Sequence, residues 1–224
     1  MEATQDTENP LHALNINQAM GLVMARVGLG KTAILVQLAL DCMLMGNKVL
    51  HVSIGETVDK AKSWYDDILS LVSDGEKVSQ IPEIMRNRMI MTFKETGFSG
   101  IKLEERLRDL IEQDIFRPSC MVIDGYDFAA GNRQALVELR AVLNRLGLRQ
   151  VWFSAVCHRD DQRQNALGVP APCHEVDDIF NTVLLINPAG DTMRLDVLKC
   201  DVAGVKPGAL LTLDPSTMLI QKTA

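Results

Sequence analysis

Short apolar runs alternate along the chain with longer segments in which apolar residues recur every three or four positions. The short runs are typical of buried strands, whereas the longer spacing predicts helices with one apolar face. The predicted strands are 21–25, 48–54, 88–93, 119–124 and 150–157, and the predicted helices are 32–44, 58–72, 101–115 and 133–146. Because strands joined through helices form parallel sheets, the pattern predicts an α/β fold, a mostly parallel sheet with helices on both faces.

Two of the predicted helices show their packing faces directly in the sequence. The residues expected to be buried are Trp64, Ile68 and Leu71 in helix 58–72, and Leu103, Leu107, Leu110 and Ile111 in helix 101–115. Residues 73–83 and 94–100 are predicted to be loops, and residues 159–178 a long polar connection. In a parallel sheet, ligands bind at the carboxyl ends of the strands, so the candidate functional residues are expected there.

The segment ARVGLGKT, between the first strand and the first helix, has the form of a phosphate-binding loop. Gly28 and Gly30 let the backbone curl around a polyphosphate, and the start of the next helix adds a positive dipole. Lys31 is expected to neutralise the β- and γ-phosphates, and the Thr32 hydroxyl to bind Mg²⁺. We therefore predict an ATP site made of Ala25, Arg26, Val27, Gly28, Leu29, Gly30, Lys31 and Thr32.

Ala25 departs from the usual motif, G-x-x-x-x-G-K-[ST], in which a glycine stands at its position. Alanine is the smallest available replacement for that glycine. The alternative interpretation is a strand, a glycine turn and a helix that bind nothing. A mere turn has no need of a lysine and a threonine at the start of the helix, so we favour the phosphate-binding loop.

Two acidic residues at strand ends are candidates for the metal and for catalysis. Asp124 ends the run CMVID and is expected to hold the water shell of Mg²⁺ near Thr32, the Walker B role. Residue 125 is glycine, so no catalytic glutamate directly follows Asp124. Glu56, after the strand VLHVSI, is the candidate base that orients and deprotonates the attacking water. The alternatives are a strand-ending turn at Asp124 and a solvated loop glutamate at Glu56.

With these elements, the chain resembles the core of RecA-type ATPases, particularly the branch that includes DnaB and KaiC. The resemblance is carried by ARVGLGKT, by VSIGET and CMVIDG at the ends of two strands, and by VWFSAVCHR, which has a polar tip. It covers about residues 15 to 220. It implies a single RecA-like P-loop domain over 15–224, after a flexible arm over 1–14. It also implies that DDIFNTVLLI, MRLDVLKCD and GALLTLDPSTMLI form the last strand and an antiparallel hairpin.

The same resemblance suggests two further contacts with nucleotide. His158 follows the strand at 150–157 in the position of a sensor residue. Lys199 occupies the place of a lysine that reaches across to the nucleotide of a neighbouring subunit. The arginine expected two positions later is Asp201 here, which weakens the case for fast hydrolysis and for cooperation in a ring.

Composition narrows the choice of partner and compartment. The net charge is −6, and Arg159 and Arg163 in the long connection are offset by Asp160 and Asp161, so nucleic acid is possible but not favoured. No apolar run approaches the length of a membrane span, and the polar N-terminus does not have the form of a secretory leader. Cysteines within apolar segments favour the cytoplasm.

A zinc site is a further alternative, since two Cys-His pairs, at 157–158 and 173–174, could supply four ligands. Adjacent residues on a strand point to opposite faces, which makes each pair a poor chelate.

The leading hypothesis is therefore a RecA-like ATPase with ATP and Mg²⁺ as ligands, which hydrolyses slowly and couples its nucleotide state to a protein partner or a homo-oligomer. Two alternatives stay open. One is a P-loop kinase, for which Arg86 and Arg88 are the only arginines of a candidate lid. The other is a nucleotide-binding regulatory module without turnover, for which Ala25 and Asp201 are the evidence.

Overall fold

The computed structural model describes residues 12, 14, 20–72, 81–202, 205–208 and 210–221. Strands and helices alternate as far as β5, and the last three strands follow one another. The strands are β1 (Met20–Ala25), β2 (Val49–Ile54), β3 (Arg88–Phe93), β4 (Cys120–Asp124), β5 (Gln150–Val156), β6 (Thr182–Ala189), β7 (Thr192–Cys200) and β8 (Leu210–Leu213). The helices are α1 (Lys31–Leu44), α2 (Val58–Val72), α3 (Ile81–Met85), α4 (Gly100–Glu112) and α5 (Arg133–Arg145), with short 3₁₀ turns at Glu95–Gly97 and Asp177–Ile179.

One eight-stranded sheet runs through the molecule in the order β3-β2-β4-β5-β1-β6-β7-β8. The six strands from β3 to β6 in this order are parallel, and β7 and β8 continue the sheet in antiparallel pairings. The predicted α/β class, the mostly parallel sheet and the antiparallel C-terminal strands are thus confirmed. The carboxyl ends of the parallel strands, where ligands bind in such sheets, lie along one edge.

Alternate residues of each central strand face two separate hydrophobic cores. The first core contains α1 and α2 and includes Ile34, Tyr65 and Trp152. The second contains α4 and α5 and includes Leu107 and Phe153. Helices therefore cover both faces, which explains why the central strands are apolar along their whole length.

Helix α1 is buried on nearly all sides. Its buried residues run from Ala33 to Val36 and from Leu38 to Met43. Gln37 is half-buried and donates its side-chain amide to the carbonyl of Met218 (2.9 Å), so the C-terminal segment covers the remaining side of the helix. The helix that follows the glycine motif is therefore held rigidly against the sheet.

Several details of the sequence-based prediction are wrong. Helix α3 begins at Ile81, inside the predicted loop 73–83, because its apolar residues pack on the first core; residues 73–80 lie outside the described part of the chain. Leu71 is 49% exposed, since the buried face of α2 is formed by Ala61, Tyr65, Ile68 and Leu69.

Helix α4 ends at Glu112 rather than at 115. Asp114 leaves the helix with a left-handed φ of 55°, and the Ile115 N–H closes the end by donating to the Leu110 carbonyl (3.0 Å).

Two residues of the predicted N-terminal arm are described and are packed. The His12 Nδ1 atom lies 3.0 Å from Oδ1 of Asp41 on α1, and Leu14 is buried in the first core. The other residues of the predicted arm lie outside the described residues. Within the described part of the chain, every helix is too short or too polar to cross a bilayer.

Candidate functional site

The loop of residues 26–30, called here the glycine loop, joins β1 to α1 at the carboxyl edge of the sheet. Gly28 and Gly30 both have left-handed backbones, with φ of 78° and 79°. Gly30 is the residue before α1, and no described side chain caps that end of the helix. The first helical amides therefore remain available to an external acceptor, as an anion site requires.

Ala25, the departure from the usual motif, is an ordinary strand residue in this structure. It pairs with Val156 on β5, and its methyl group is fully buried in the first core. Its backbone is not left-handed, so the position does not require glycine. The alanine therefore brings no backbone strain to the glycine loop. Arg26 and Val27 are exposed at the tip, and Leu29 packs partly on the first core.

Lys31 folds back over the glycine loop. Its Nζ donates to the carbonyl of Arg26 at 3.2 Å, the same carbonyl that accepts the Leu29 N–H at 3.4 Å. Burial lowers the pKa of Lys31, and the nearby Asp124 carboxylate and Cys157 oppose that shift. The ammonium group thus lies inside the curve of the loop, where a phosphate oxygen could replace the carbonyl as its acceptor.

Thr32 and Asp124, predicted as metal ligands, are in direct contact. The Thr32 hydroxyl donates to Asp124 Oδ2 at 2.7 Å, linking the first turn of α1 to the end of β4. A hydroxyl has one hydrogen and two lone pairs, so Thr32 can hold this bond and still coordinate a cation. The structure therefore brings together a hydroxyl and a carboxylate oxygen, the ligand types that Mg²⁺ prefers.

Ser154 on β5 is part of the same cluster, although sequence reasoning missed it. Its hydroxyl donates to Asp124 Oδ1 and accepts the N–H of Gly125 at 3.1 Å. The only signal in the sequence was a serine within the apolar run VWFSAV, which is unusual for a strand buried on both faces.

The surroundings of Gly125 explain why no glutamate or aspartate can directly follow Asp124. Its φ is 86°, and a Cβ at this position would lie 2.4 Å from the carbonyl oxygen of Ile54 on β2. Because that oxygen belongs to the backbone of a central strand, no side chain fits here. A candidate catalytic carboxylate must therefore come from another strand end.

Glu56 lies at such a strand end but is paired with a lysine. Its Oε1 is 2.6 Å from Nζ of Lys60 one helical turn later, and about half of each side chain is exposed. A second acid that sequence reasoning missed, Glu95, packs its carboxylate against Gly55, where a built Cβ would lie 2.9 Å from Oε1. Two carboxylates therefore flank the end of β2.

His158 and Lys199 lie in different surroundings. His158 follows β5 next to Cys157, whose N–H donates to the Ala25 carbonyl (2.9 Å), so it lies at the same edge as the glycine loop. Lys199 lies on β7 and donates to the carbonyls of Asp177 (3.1 Å) and Phe180 (2.7 Å) of its own chain. The predicted contact of Lys199 with a neighbouring subunit stays a prediction.

The C-terminal segment also contacts the glycine loop, which the sequence did not indicate. A Cβ built on Gly30 would lie 2.5 Å from Cε and 2.7 Å from Cγ of Met218. Met218 has a left-handed φ of 59° and follows a turn fixed by Asp214, which accepts the N–H groups of Ser216 and Thr217, both at 2.9 Å. Met218 therefore packs directly against the last residue of the glycine loop, next to the start of α1.

The connection 159–178 is not simply polar. Val169, Ala171 and Cys173 within it are buried, so part of the predicted polar connection packs into the interior. Arg163 is paired with Asp161 at 2.6 Å, so that cation is already neutralised.

Burial raises the pKa of Cys157 to about 11 and also raises that of Cys173. No group of three or more His, Cys, Asp or Glu side chains that could hold a metal ion occurs among the described residues, so the two Cys-His pairs are not brought together as a four-ligand site there.

No protein-family model matches the chain, and a search of the curated proteins finds no similar sequence. The functional argument therefore depends on the geometry of these residues.

Proposed function

We propose that the chain is a RecA-like P-loop protein that binds ATP with Mg²⁺, hydrolyses it slowly and couples its nucleotide state to a protein partner or to further copies of itself. The observation that carries this proposal is the hydrogen bond from Thr32 to Asp124. It joins the residue after the glycine loop and its lysine to a carboxylate at the end of a separate strand. A turn that binds nothing does not need such a pair.

Each residue of the cluster has a defined task in this proposal. The backbone N–H groups after Gly28 and Gly30 would donate hydrogen bonds to phosphate oxygens. The Lys31 ammonium would leave the Arg26 carbonyl and contact the β- and γ-phosphates instead. Thr32 and Asp124 would hold Mg²⁺, directly and through water. The cation would neutralise the charge that develops on the phosphates. The mostly parallel sheet with antiparallel C-terminal strands is compatible with a RecA-like interpretation.

Hydrolysis needs a group that takes a proton from the attacking water. We assign this role to Glu56, which follows β2 at the same edge of the sheet as Asp124. Its ion pair with Lys60 must open before the carboxylate can accept that proton. Water would then attack the γ-phosphorus, the bond to the bridging oxygen would break, and ADP and inorganic phosphate would leave.

The Glu56–Lys60 pair also favours a second candidate function, a nucleotide-binding regulatory module without turnover. The kinase alternative is weaker, because the Arg88 guanidinium stacks on the ring of Tyr65 at 4.5 Å instead of being free to contact a phosphate. Phosphate release by the wild type separates the ATPase from the non-hydrolysing module.

Calorimetric titration with ATP and Mg²⁺ tests the binding proposal. We expect the wild type to bind and Lys31→Ala to lose at least tenfold in affinity, since a charge-assisted contact with phosphate is removed. Lys62→Ala is the matched control, because it removes an exposed lysine of α2 that has no part in the proposed site, and this variant should bind like the wild type. Equal affinity of Lys31→Ala and wild type would overturn the site assignment.

A further inference from the structure

Three polar side chains form a row across the carboxyl ends of three neighbouring strands. Ser53 on β2 is in register with Asp124 on β4, and the pairing of Ile123 with Phe153 places Asp124 beside Ser154 on β5. Their neighbours Ile123 and Phe153 face the second core, so the row faces the side of α1. Asp124 is therefore flanked by two buried serines on the face from which Thr32 approaches.

The two serines differ in what they contact. Ser154 is 2% exposed and Ser53 is 3% exposed. The Ser154 hydroxyl accepts the Gly125 N–H and donates its hydrogen to Asp124 Oδ1. Ser53 is not among the described hydrogen-bond partners of Asp124, which are Thr32 and Ser154. The chain thus offers a residue and its matched control in the same row.

The Ser154 bond fixes the direction of the Asp124 carboxylate. Without it, the carboxylate can turn about its χ2 torsion, which has broad minima. With Oδ1 held by Ser154, Oδ2 is presented to Thr32 and to the space beyond the helix start. Groups that orient a metal ligand in this way commonly contribute tenfold to a hundredfold to metal affinity.

We propose that Ser154 is a positioning residue that sets the divalent-cation requirement of the site by orienting Asp124. This inference rests on the proposed function, since it concerns the cation bound with the nucleotide. Ser154 itself touches neither nucleotide nor cation. It acts by keeping one carboxylate oxygen occupied so that the other one faces the site.

The test is the Mg²⁺ concentration needed for half-maximal binding of ATP labelled with a methylanthraniloyl fluorophore on the ribose. We expect Ser154→Ala to raise that concentration about tenfold to a hundredfold, while binding measured at saturating Mg²⁺ stays close to wild type. Ser53→Ala should leave the requirement unchanged. Ser154→Thr keeps the hydroxyl and should restore the wild-type requirement.

Thermal unfolding is measured in parallel, because a merely structural serine would change stability without changing the Mg²⁺ titration. If Ser154→Ala does not fold, Ser154→Cys replaces it: a thiol is a weak donor of similar size, so the Mg²⁺ requirement should still rise. An unchanged requirement in the folded variant, or an equal rise in Ser53→Ala, overturns the role of Ser154 alone. A wild type that binds no labelled ATP at any Mg²⁺ concentration overturns the proposed function and this inference with it.

Discussion

The two glycines of the glycine loop have the same backbone conformation but different surroundings. Alanine substitution at each should therefore separate the cost of backbone strain from the cost of a steric clash with a neighbouring side chain. Both have a φ close to 79°. Nothing lies within 4 Å of a Cβ built on Gly28, whereas a Cβ on Gly30 meets Met218 at 2.5 Å. Left-handed backbone costs an L-residue about 1–2 kcal/mol, and overpacking adds about 1–3 kcal/mol.

We therefore expect Gly28→Ala to lower the free energy of unfolding by about 1–2 kcal/mol and Gly30→Ala by about 2–5 kcal/mol. Met218→Ala removes the crowding atoms, so Gly30→Ala in that background should cost no more than Gly28→Ala. Urea unfolding followed by the fluorescence of the two tryptophans, Trp64 and Trp152, measures all the terms of this double-mutant cycle.

Equal costs of Gly30→Ala with and without Met218 would refute the contact between the C-terminal segment and the glycine loop. Equal costs of Gly28→Ala and Gly30→Ala in the wild-type background would refute it as well. A positive coupling between residues 30 and 218 would show that the end of the described chain restrains the loop.

Two further predictions concern turnover and pH. Glu56→Gln should keep ATP binding but slow phosphate release about a hundredfold or more, since it removes the proposed base; Glu95→Gln is the control, and a loss in Glu95→Gln instead would move the base to that residue. Burial lowers the pKa of His51 from 6.5 to about 4. Between these two pH values the unfolded chain binds the proton and the folded chain does not, so the free energy of unfolding falls as the pH is lowered from 6.5 to about 4. His51→Gln should therefore lose about 2–3 kcal/mol less than wild type in urea unfolding between pH 7 and 4.5, and identical pH profiles would contradict this.

The sequence was sufficient to predict the fold class, the mostly parallel sheet and part of the site, but not the order of the strands. Local patterns predicted the first five strands. Lys31 and Thr32 follow the loop after the first strand and Asp124 ends another, so the sequence predicted that they would lie near one another. Ser154 and Met218 were missed because their roles depend on register and on a contact between α1 and the C-terminal segment, which periodicity does not encode. Leu71 was misplaced because Tyr65 and Leu69 define a buried face of α2 that is rotated from the one expected.

The order of strands in the sheet also determines when the site can exist during synthesis. β1 carries the glycine loop at its end, but its two neighbours in the sheet are β5 and β6, which are translated much later. Likewise, β5 must insert between β1 and β4 before Asp124 is fixed beside Thr32. A nascent chain that ends before β5 has the loop, the lysine and the aspartate, but it lacks the strand that lies between β1 and β4. The proposed nucleotide would therefore stabilise the chain only after β5 has been made. Helix α1 leaves the ribosome before its later core partners Trp152, Leu184 and Ile186 have been translated.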